Sequence, residues 1–183
     1  MRAADVSSDI TEVLVTEEQI RAKLDEIAAR VAADYEGKDL LLVGVLKGAV
    51  MVMADFSRAL PALAPMDWRA VSSYGAGTKS SGVVQIRKDL DTDILGKHVL
   101  IVEDIIDSGL TLSWLLENFA ARGAASVEVF ALLRKPEAAK VEVRCKYVGF
   151  DIPNEFVIGY GLDYAEQYRN LRDVAILAPH VYS

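Results

Sequence analysis

Cysteine is nearly absent. The 183 residues hold one, Cys145, so no internal disulfide framework can staple the chain and its stability has to come from packing. Histidine is scarce too: His98 and His180 lie far apart, and neither they nor Cys145 show the spacing of a metal-ligand set. A structural part is expected of all three. The longest apolar stretches, such as Leu40 to Leu46 and Val99 to Val102, fall far short of the roughly 18 to 20 residues that cross a bilayer. Arg2, Asp5, Asp9 and Glu12 stand where a secretory leader would need an apolar segment. Positive charge is in deficit, with 20 Lys and Arg against 27 Asp and Glu and a net charge of −7. Such a surface repels a phosphate backbone on average. These shortages exclude a disulfide scaffold and disfavour nucleic-acid and membrane partners, and the expected place is the cytoplasm.

What is present is apolar: 52% of the residues are hydrophobic, enough for one compact core, and no repeat or long linker divides residues 1–183. Thr16 with Gln19 reads as a capping box, and Ile20, Leu24, Ile27 and Val31 mark one face of a helix from about 17 to 35. Leu40 to Leu46 is a continuous apolar run of strand length, followed by a helix over Ala49 to Leu60. Further strands are expected at Trp68 to Tyr74, Val83 to Arg87, His98 to Glu103, Ala125 to Leu133, Glu142 to Phe150, Phe156 to Tyr160 and Val174 to Leu177. Leu112, Leu115, Leu116 and Phe119 mark another helix, stopped by Gly123. Between Trp68 to Tyr74 and Val83 to Arg87, the segment Gly75 to Gly82 breaks every periodicity and predicts a mobile loop. Alternating strands and helices imply an α/β fold with a parallel sheet.

In an open α/β sheet, ligands bind beyond the carboxyl ends of the strands. The run Val99 to Val102 leads into Glu103, Asp104, Ile105, Ile106, Asp107, Ser108, Gly109, Leu110 and Thr111. Ser108 to Thr111 can offer backbone N–H groups, two hydroxyls and a helix N-terminus to a phosphate, and Gly109 allows close backbone approach. Carboxylates beside a phosphate cradle must address something else: vicinal hydroxyls, a divalent cation or a proton in transfer. A ribose phosphate supplies the first.

The segment Val99 to Gly109 resembles the phosphoribosyl-pyrophosphate signature of the purine phosphoribosyltransferases. The likeness continues in order through Leu46-Lys47-Gly48, Ser73-Tyr74, Leu133 to Pro136, Val148 to Pro153, Phe156 to Tyr164 and Tyr168 to Leu171. It covers nearly the whole chain and is nearest to the bacterial members that use 6-oxopurines. The resemblance implies the type I phosphoribosyltransferase fold: a mostly parallel twisted sheet flanked by helices (core about 36–150), a small hood (about 1–16 and 150–183) and a flexible lid loop (about 73–90).

It also implies site roles, each standing beside a plainer alternative. Asp107, otherwise a helix N-terminal carboxylate, becomes the general base beside purine N7. Glu103 and Asp104, otherwise solvated acids at a strand end, address the ribose hydroxyls and, with Asp163, a Mg²⁺ ion, which needs few carboxylates when substrate oxygens complete its shell. Ile106, Ser108, Gly109, Leu110 and Thr111 hold phosphoribosyl pyrophosphate. Lys47 and Gly48, otherwise a surface turn, form a pyrophosphate loop that in this family can carry a non-proline cis peptide, and Arg169 is the second contact to that anion. Lys135 donates to purine O6, which disfavours a 6-amino base. Phe156, by periodicity alone a core residue, stacks on the purine, with the backbone of Val157 at the base edge. Ser73 and Tyr74 sit at the base of the lid. Glu155 stands where several members carry a basic or other residue.

The implied reaction joins hypoxanthine or guanine to phosphoribosyl pyrophosphate in a homo-oligomer, dimer or tetramer, with xanthine as an alternative base. A rival is a nucleotide-sensing regulator that keeps the fold without turnover. A phospho-acceptor signalling domain would leave Phe156 to Asp163 unexplained.

Overall fold

The structure is a computed structural model that describes residues 1–73 and 84–183. Nine strands and four α-helices are described: β1 (Ile10–Val15), α1 (Glu17–Asp34), β2 (Leu40–Leu46), α2 (Val50–Ala59), β3 (Met66–Ser73), β4 (Val84–Lys88), β5 (His98–Ile106), α3 (Leu110–Ala121), β6 (Ser126–Arg134), β7 (Tyr147–Asp151), β8 (Val157–Ile158), β9 (Val174–Leu177) and α4 (Pro179–Tyr182). The loop expected at Gly75 to Gly82 lies outside the described residues. Among the described residues no helix is long and apolar enough to cross a membrane.

Six strands form one sheet in the order β4-β3-β2-β5-β6-β7. All neighbours are parallel except the edge pair β3–β4. The apolar run of β2 is buried on both faces because successive side chains alternate across the sheet. Leu40 and Leu42 join the core under α1 and α2, with Ile20, Leu24, Ile27, Val52, Met53 and Phe56. Leu41, Val43 and Val45 face the other way and join Leu112, Leu115 and Phe119 of α3. Gly44 is required by closeness: a Cβ there would lie 2.5 Å from the Trp68 ring.

The predicted capping box closes α1 as expected, with Gln19 N donating to Thr16 Oγ1 at 3.3 Å and Thr16 N donating to Gln19 Oε1 at 2.8 Å. Gly123, at φ +79°, follows the end of α3 in the left-handed conformation that glycine tolerates best.

A second sheet, β1-β9-β8, is antiparallel and draws on both ends of the chain. Its β1 escaped the sequence reading because its burial is irregular and only Val15 is fully buried. Two expected strands are shorter than predicted. Residues 142–146 stay outside β7 because the chain just before them is held elsewhere: Lys140 N and Val141 N both donate to Ser108 O, at 3.0 and 3.2 Å. Strand β8 stops at Ile158 because Gly159, Tyr160 and Gly161 turn the chain at φ +95°, +50° and +103°.

Phe130 of β6 is fully buried, with its ring 4.9 Å from that of Phe56 in α2. Phe130→Ala should destabilise the protein by about 3 to 5 kcal/mol. The check is the urea midpoint at unchanged m-value; a shift worth under about 1 kcal/mol would contradict the packing described.

Candidate active site

The chain runs from β2 through α2 to β3 on one side, and from β5 through α3 to β6 on the other, with α2 and α3 on opposite faces. The strand order therefore reverses between β2 and β5, and a crevice opens beyond their carboxyl ends. Strand β5 is longer than the sequence suggested. Its last match with β2 is Val102 with Gly44, while it stays paired with β6 as far as Ile106 with Arg134. Glu103 and Asp104 are thus both strand residues, Asp104 correcting the expectation that the strand ends at Glu103, and they lie beyond the last match of β5 with β2.

At that point β2 passes into Lys47 and Gly48 through a cis Leu46–Lys47 peptide, and α2 begins two residues after Gly48. A Cβ on Gly48 would lie 1.8 Å from Asp104 Oδ2, and one on Gly161 (φ +103°) would lie 2.0 Å from the Gly48 carbonyl oxygen. Three segments thus meet at one glycine: the end of β5, the turn after β2 and the turn after β8.

Glu103 is buried, and its carboxylate makes no hydrogen bond or ion pair with any described residue. Burial, with the Asp104 charge beside it, drives its carboxyl well above the usual range. Asp104 is pushed up to about 6, again mainly by burial, although Ile105 N donates to its Oδ1 at 2.8 Å and Arg169 lies within electrostatic reach. The described residues include no cluster of three or more His, Cys, Asp or Glu that could by itself hold a metal.

Beyond β5, Asp107 is exposed and its Oδ2 lies 3.6 Å from Lys135 Nζ. Lys135 is itself almost fully buried and is fixed through its backbone, Lys135 N donating to Ile106 O at 2.9 Å. At 3.6 Å the contact is an ion pair without a hydrogen bond. Next to it, Glu103, Ile106, Asp107, Ser108, Gly109 and Thr111 line a cavity of about 130 Å³ at the N-terminus of α3. Gly109 caps that helix at φ +79°, and a Cβ there would meet the Val141 carbonyl at 2.7 Å. Leu110 N donates to Ser108 Oγ at 3.4 Å. The first-turn N–H groups of a helix have no intrahelical acceptor, and here that of Leu110 is met by Ser108.

Arg169 lies across the crevice. Its Nη1 donates to Gly161 O at 2.7 Å and its Nη2 pairs with Asp163 Oδ1 at 2.9 Å, while its buried Nε has no partner among the described residues. Lys47 Nζ pairs with Glu166 Oε2 at 2.8 Å, and Glu166 Oε1 lies 3.3 Å from Arg169 Nη2. Sequence reading missed Glu166. Its signal was an acid three residues from each of Asp163 and Arg169, a pattern too common to stand out.

Phe156 is not a core residue: it is 40% exposed, stacked at 5.3 Å on Tyr182 of α4, with the Tyr164 ring edge-on at 5.8 Å. Val157 beside it is buried in β8. Ser73 ends β3, and Tyr74 lies outside the described residues. His98 Nδ1 is 2.7 Å from Ser126 Oγ, and Cys145 is half-buried with Sγ 3.0 Å from Tyr147 O, structural settings for both.

A fold of this kind, with acids at a strand end beside the N-terminus of α3, matches a known family over most of the chain. The family model described as phosphoribosyl transferase domain matches residues 12–165. Hypoxanthine-guanine phosphoribosyltransferase from Mycobacterium tuberculosis is 54% identical over 180 residues, covering 95% of this chain and 89% of that protein. The protein of the same name from Bacillus subtilis is 49% identical over 174 residues, covering 95% and 97%. A crystal structure of a hypoxanthine phosphoribosyltransferase from Staphylococcus aureus superposes with a TM-score of 0.94 at 46% identity, covering 98% of this chain and 97% of that one. The chain belongs to the phosphoribosyltransferase family. Within it, it falls in the hypoxanthine-guanine group, the transferases of purine salvage.

The raised acids set a pH signature. Between 3.8 and about 6 the folded state holds a proton on Asp104 that the unfolded chain releases. The stability this contributes is complete below pH 3.8 and is lost as pH rises through about 6, a change of up to about 3 kcal/mol. Asp104→Asn should therefore raise the thermal midpoint at pH 7.5 and bring no gain near pH 3.5. An equal gain at both pH values, or none at either, would count against the buried carboxylate.

Proposed function

We propose that the chain transfers the 5-phosphoribosyl group from phosphoribosyl pyrophosphate to N9 of hypoxanthine or guanine, giving IMP or GMP and pyrophosphate. The observation that carries this reading is the exposed Asp107 beside the buried Lys135, at the rim of the phosphate cradle that opens α3. In the reaction the bond from C1′ to the pyrophosphate oxygen breaks, the bond from C1′ to N9 forms, and the purine gives its N7 proton to Asp107. Lys135, held by its burial, donates to the O6 of the base and leaves a 6-amino group with no acceptor to meet it. Phe156 presents an exposed ring for the purine to stack on, steadied by Tyr182 and Tyr164.

The 5′-phosphate fits the turn Ser108 to Thr111, with Ile106 and Leu110 flanking it. Pyrophosphate fits between Lys47-Gly48 and Arg169, whose unpartnered Nε leaves a donor to spare. Ser73 and Tyr74 complete the site at the base of a lid, by resemblance alone.

Mg²⁺ fits the acids present. Glu103 is a buried acid without a partner, and Asp104 feels Asp163 as a like charge, so a divalent cation shared with substrate oxygens would relieve both. Glu103, Asp104 and Asp163 would hold it, directly or through water. When bound, the ion neutralises charge on the departing pyrophosphate. The same acids suit the ribose hydroxyls, which donate to carboxylates. Cytoplasmic location and a homo-oligomer, dimer or tetramer, belong to this reading by resemblance.

The test is nucleotide formation from phosphoribosyl pyrophosphate and Mg²⁺ with hypoxanthine, guanine, xanthine and adenine in parallel. IMP and GMP should form, with little AMP. Asp107→Asn should lower kcat by about 10²- to 10⁴-fold, and Lys135→Met should raise KM for hypoxanthine while narrowing the gap to adenine. Retained nucleotide binding without turnover of any base would instead favour the regulator.

A further inference from the structure

Lys47 and Arg169 are 122 positions apart and come from different sheets' loops, yet one carboxylate joins them. Glu166 offers Oε2 to Lys47 Nζ at 2.8 Å and Oε1 to Arg169 Nη2 at 3.3 Å. We propose that Glu166 is an internal stand-in for pyrophosphate, and that its displacement from Lys47 and Arg169 sets how tightly the site holds that anion. The inference rests on the reading of Lys47 and Arg169 as the pyrophosphate pair.

The backbone builds this arrangement. Ala165 and Glu166 both adopt left-handed conformations, at φ +50° and +63°, which L-residues avoid because Cβ crowds the carbonyl oxygen. The turn they make is tied by Glu166 N, which donates to Asp163 Oδ2 at 2.9 Å. The result aims an acid at two cations from the mouth of the crevice.

The Glu166 side chain can also leave. It is 64% exposed, so it gives up weak, solvent-screened contacts and gains hydration when it swings out. Arg169 stays in place without it, held by Gly161 O and Asp163. Lys47 is different: among the described residues, Glu166 is the one acid that pairs with it. Pyrophosphate carries more negative charge than one carboxylate and can span both cations, so it wins the site when present. When pyrophosphate departs, Glu166 closes the gap behind it, and the cations never face each other uncompensated.

A competitor built into the chain weakens the ligand it mimics. Removing the Glu166 charge should tighten pyrophosphate by about three- to tenfold, the span expected when two exposed ion pairs stop competing. The experiment is titration calorimetry of the full chain with inorganic pyrophosphate and Mg²⁺, comparing wild type with Glu166→Gln, Glu166→Ala, Lys47→Gln and the Glu166→Gln/Lys47→Gln double variant, with IMP binding measured alongside.

Both Glu166 variants should bind pyrophosphate more tightly, with IMP affinity unchanged, since a monophosphate does not reach the cation pair. In steady state, KM for phosphoribosyl pyrophosphate should fall without a rise in kcat. In the Lys47→Gln background the gain from Glu166→Gln should shrink. A purely structural Glu166 would weaken both ligands. Unchanged or weaker pyrophosphate binding in both Glu166 variants, with Lys47→Gln still impaired, overturns the stand-in and leaves the pyrophosphate reading intact. Unimpaired binding in Lys47→Gln overturns that reading of Lys47 and the stand-in with it.

Discussion

The site depends on how closely three backbone segments meet at Gly48. The Asp104 carboxylate lies where a Gly48 side chain would begin, and the Gly48 carbonyl lies where a Gly161 side chain would begin. No pair of larger residues could bring the end of β5, the turn after β2 and the turn after β8 this near. Each segment contributes different charged groups to the crevice: the acids, the Lys47 turn and the Asp163-to-Arg169 loop. Their mutual distances are set by two close contacts, the Asp104 carboxylate against Gly48 and the Gly48 carbonyl against Gly161, so the three segments are held together without a ligand.

That closeness concentrates negative charge. Glu103 and Asp104 are adjacent in β5, both are buried, and both have raised carboxyls. Burial is the main cause of both shifts. Such groups cluster where ligands bind. The basic side chains are arranged in the opposite sense: Arg169 is anchored by Asp163 and Gly161, and Lys47 rests on Glu166, so the positive side of the crevice is already compensated. The site is prepared unevenly, short of cations on the β5 side and supplied with acid on the loop side.

Much of this was legible in the sequence, and the reason differs from element to element. β2, β5 and β6 are buried on both faces, so they write themselves as unbroken apolar runs, and the capping box of α1 is a local signal that needs no tertiary context. β1 was not legible: only Val15 of its six residues is buried, and its pairing with β9 depends on residues far along the chain. The extension of β5 past Glu103, through Asp104 to Ile106, was hidden because acids rarely lie inside a buried strand, and here that stretch stays paired with β6 after its last match with β2. Phe156 reads as a core residue by periodicity alone, whereas the structure leaves it 40% exposed against Tyr164 and Tyr182. The residues around the phosphate cradle form one contiguous motif and could be read at once, whereas Glu166 gains its meaning from Lys47, 119 residues away.

The second sheet has a consequence for how the molecule comes into being. β1 finds its partner in β9, with Ile10 opposite Leu177 and Val15 opposite Val174. Closing so long a loop is entropically slow compared with the local pairings of the large sheet. During synthesis the large sheet can assemble as its strands emerge, while β1 waits unpaired for the last part of the chain. The loop from Gly159 to Arg169 hangs between β8 and β9. The half of the crevice that carries Arg169 is therefore finished last, once β9 has been made and has paired with β1.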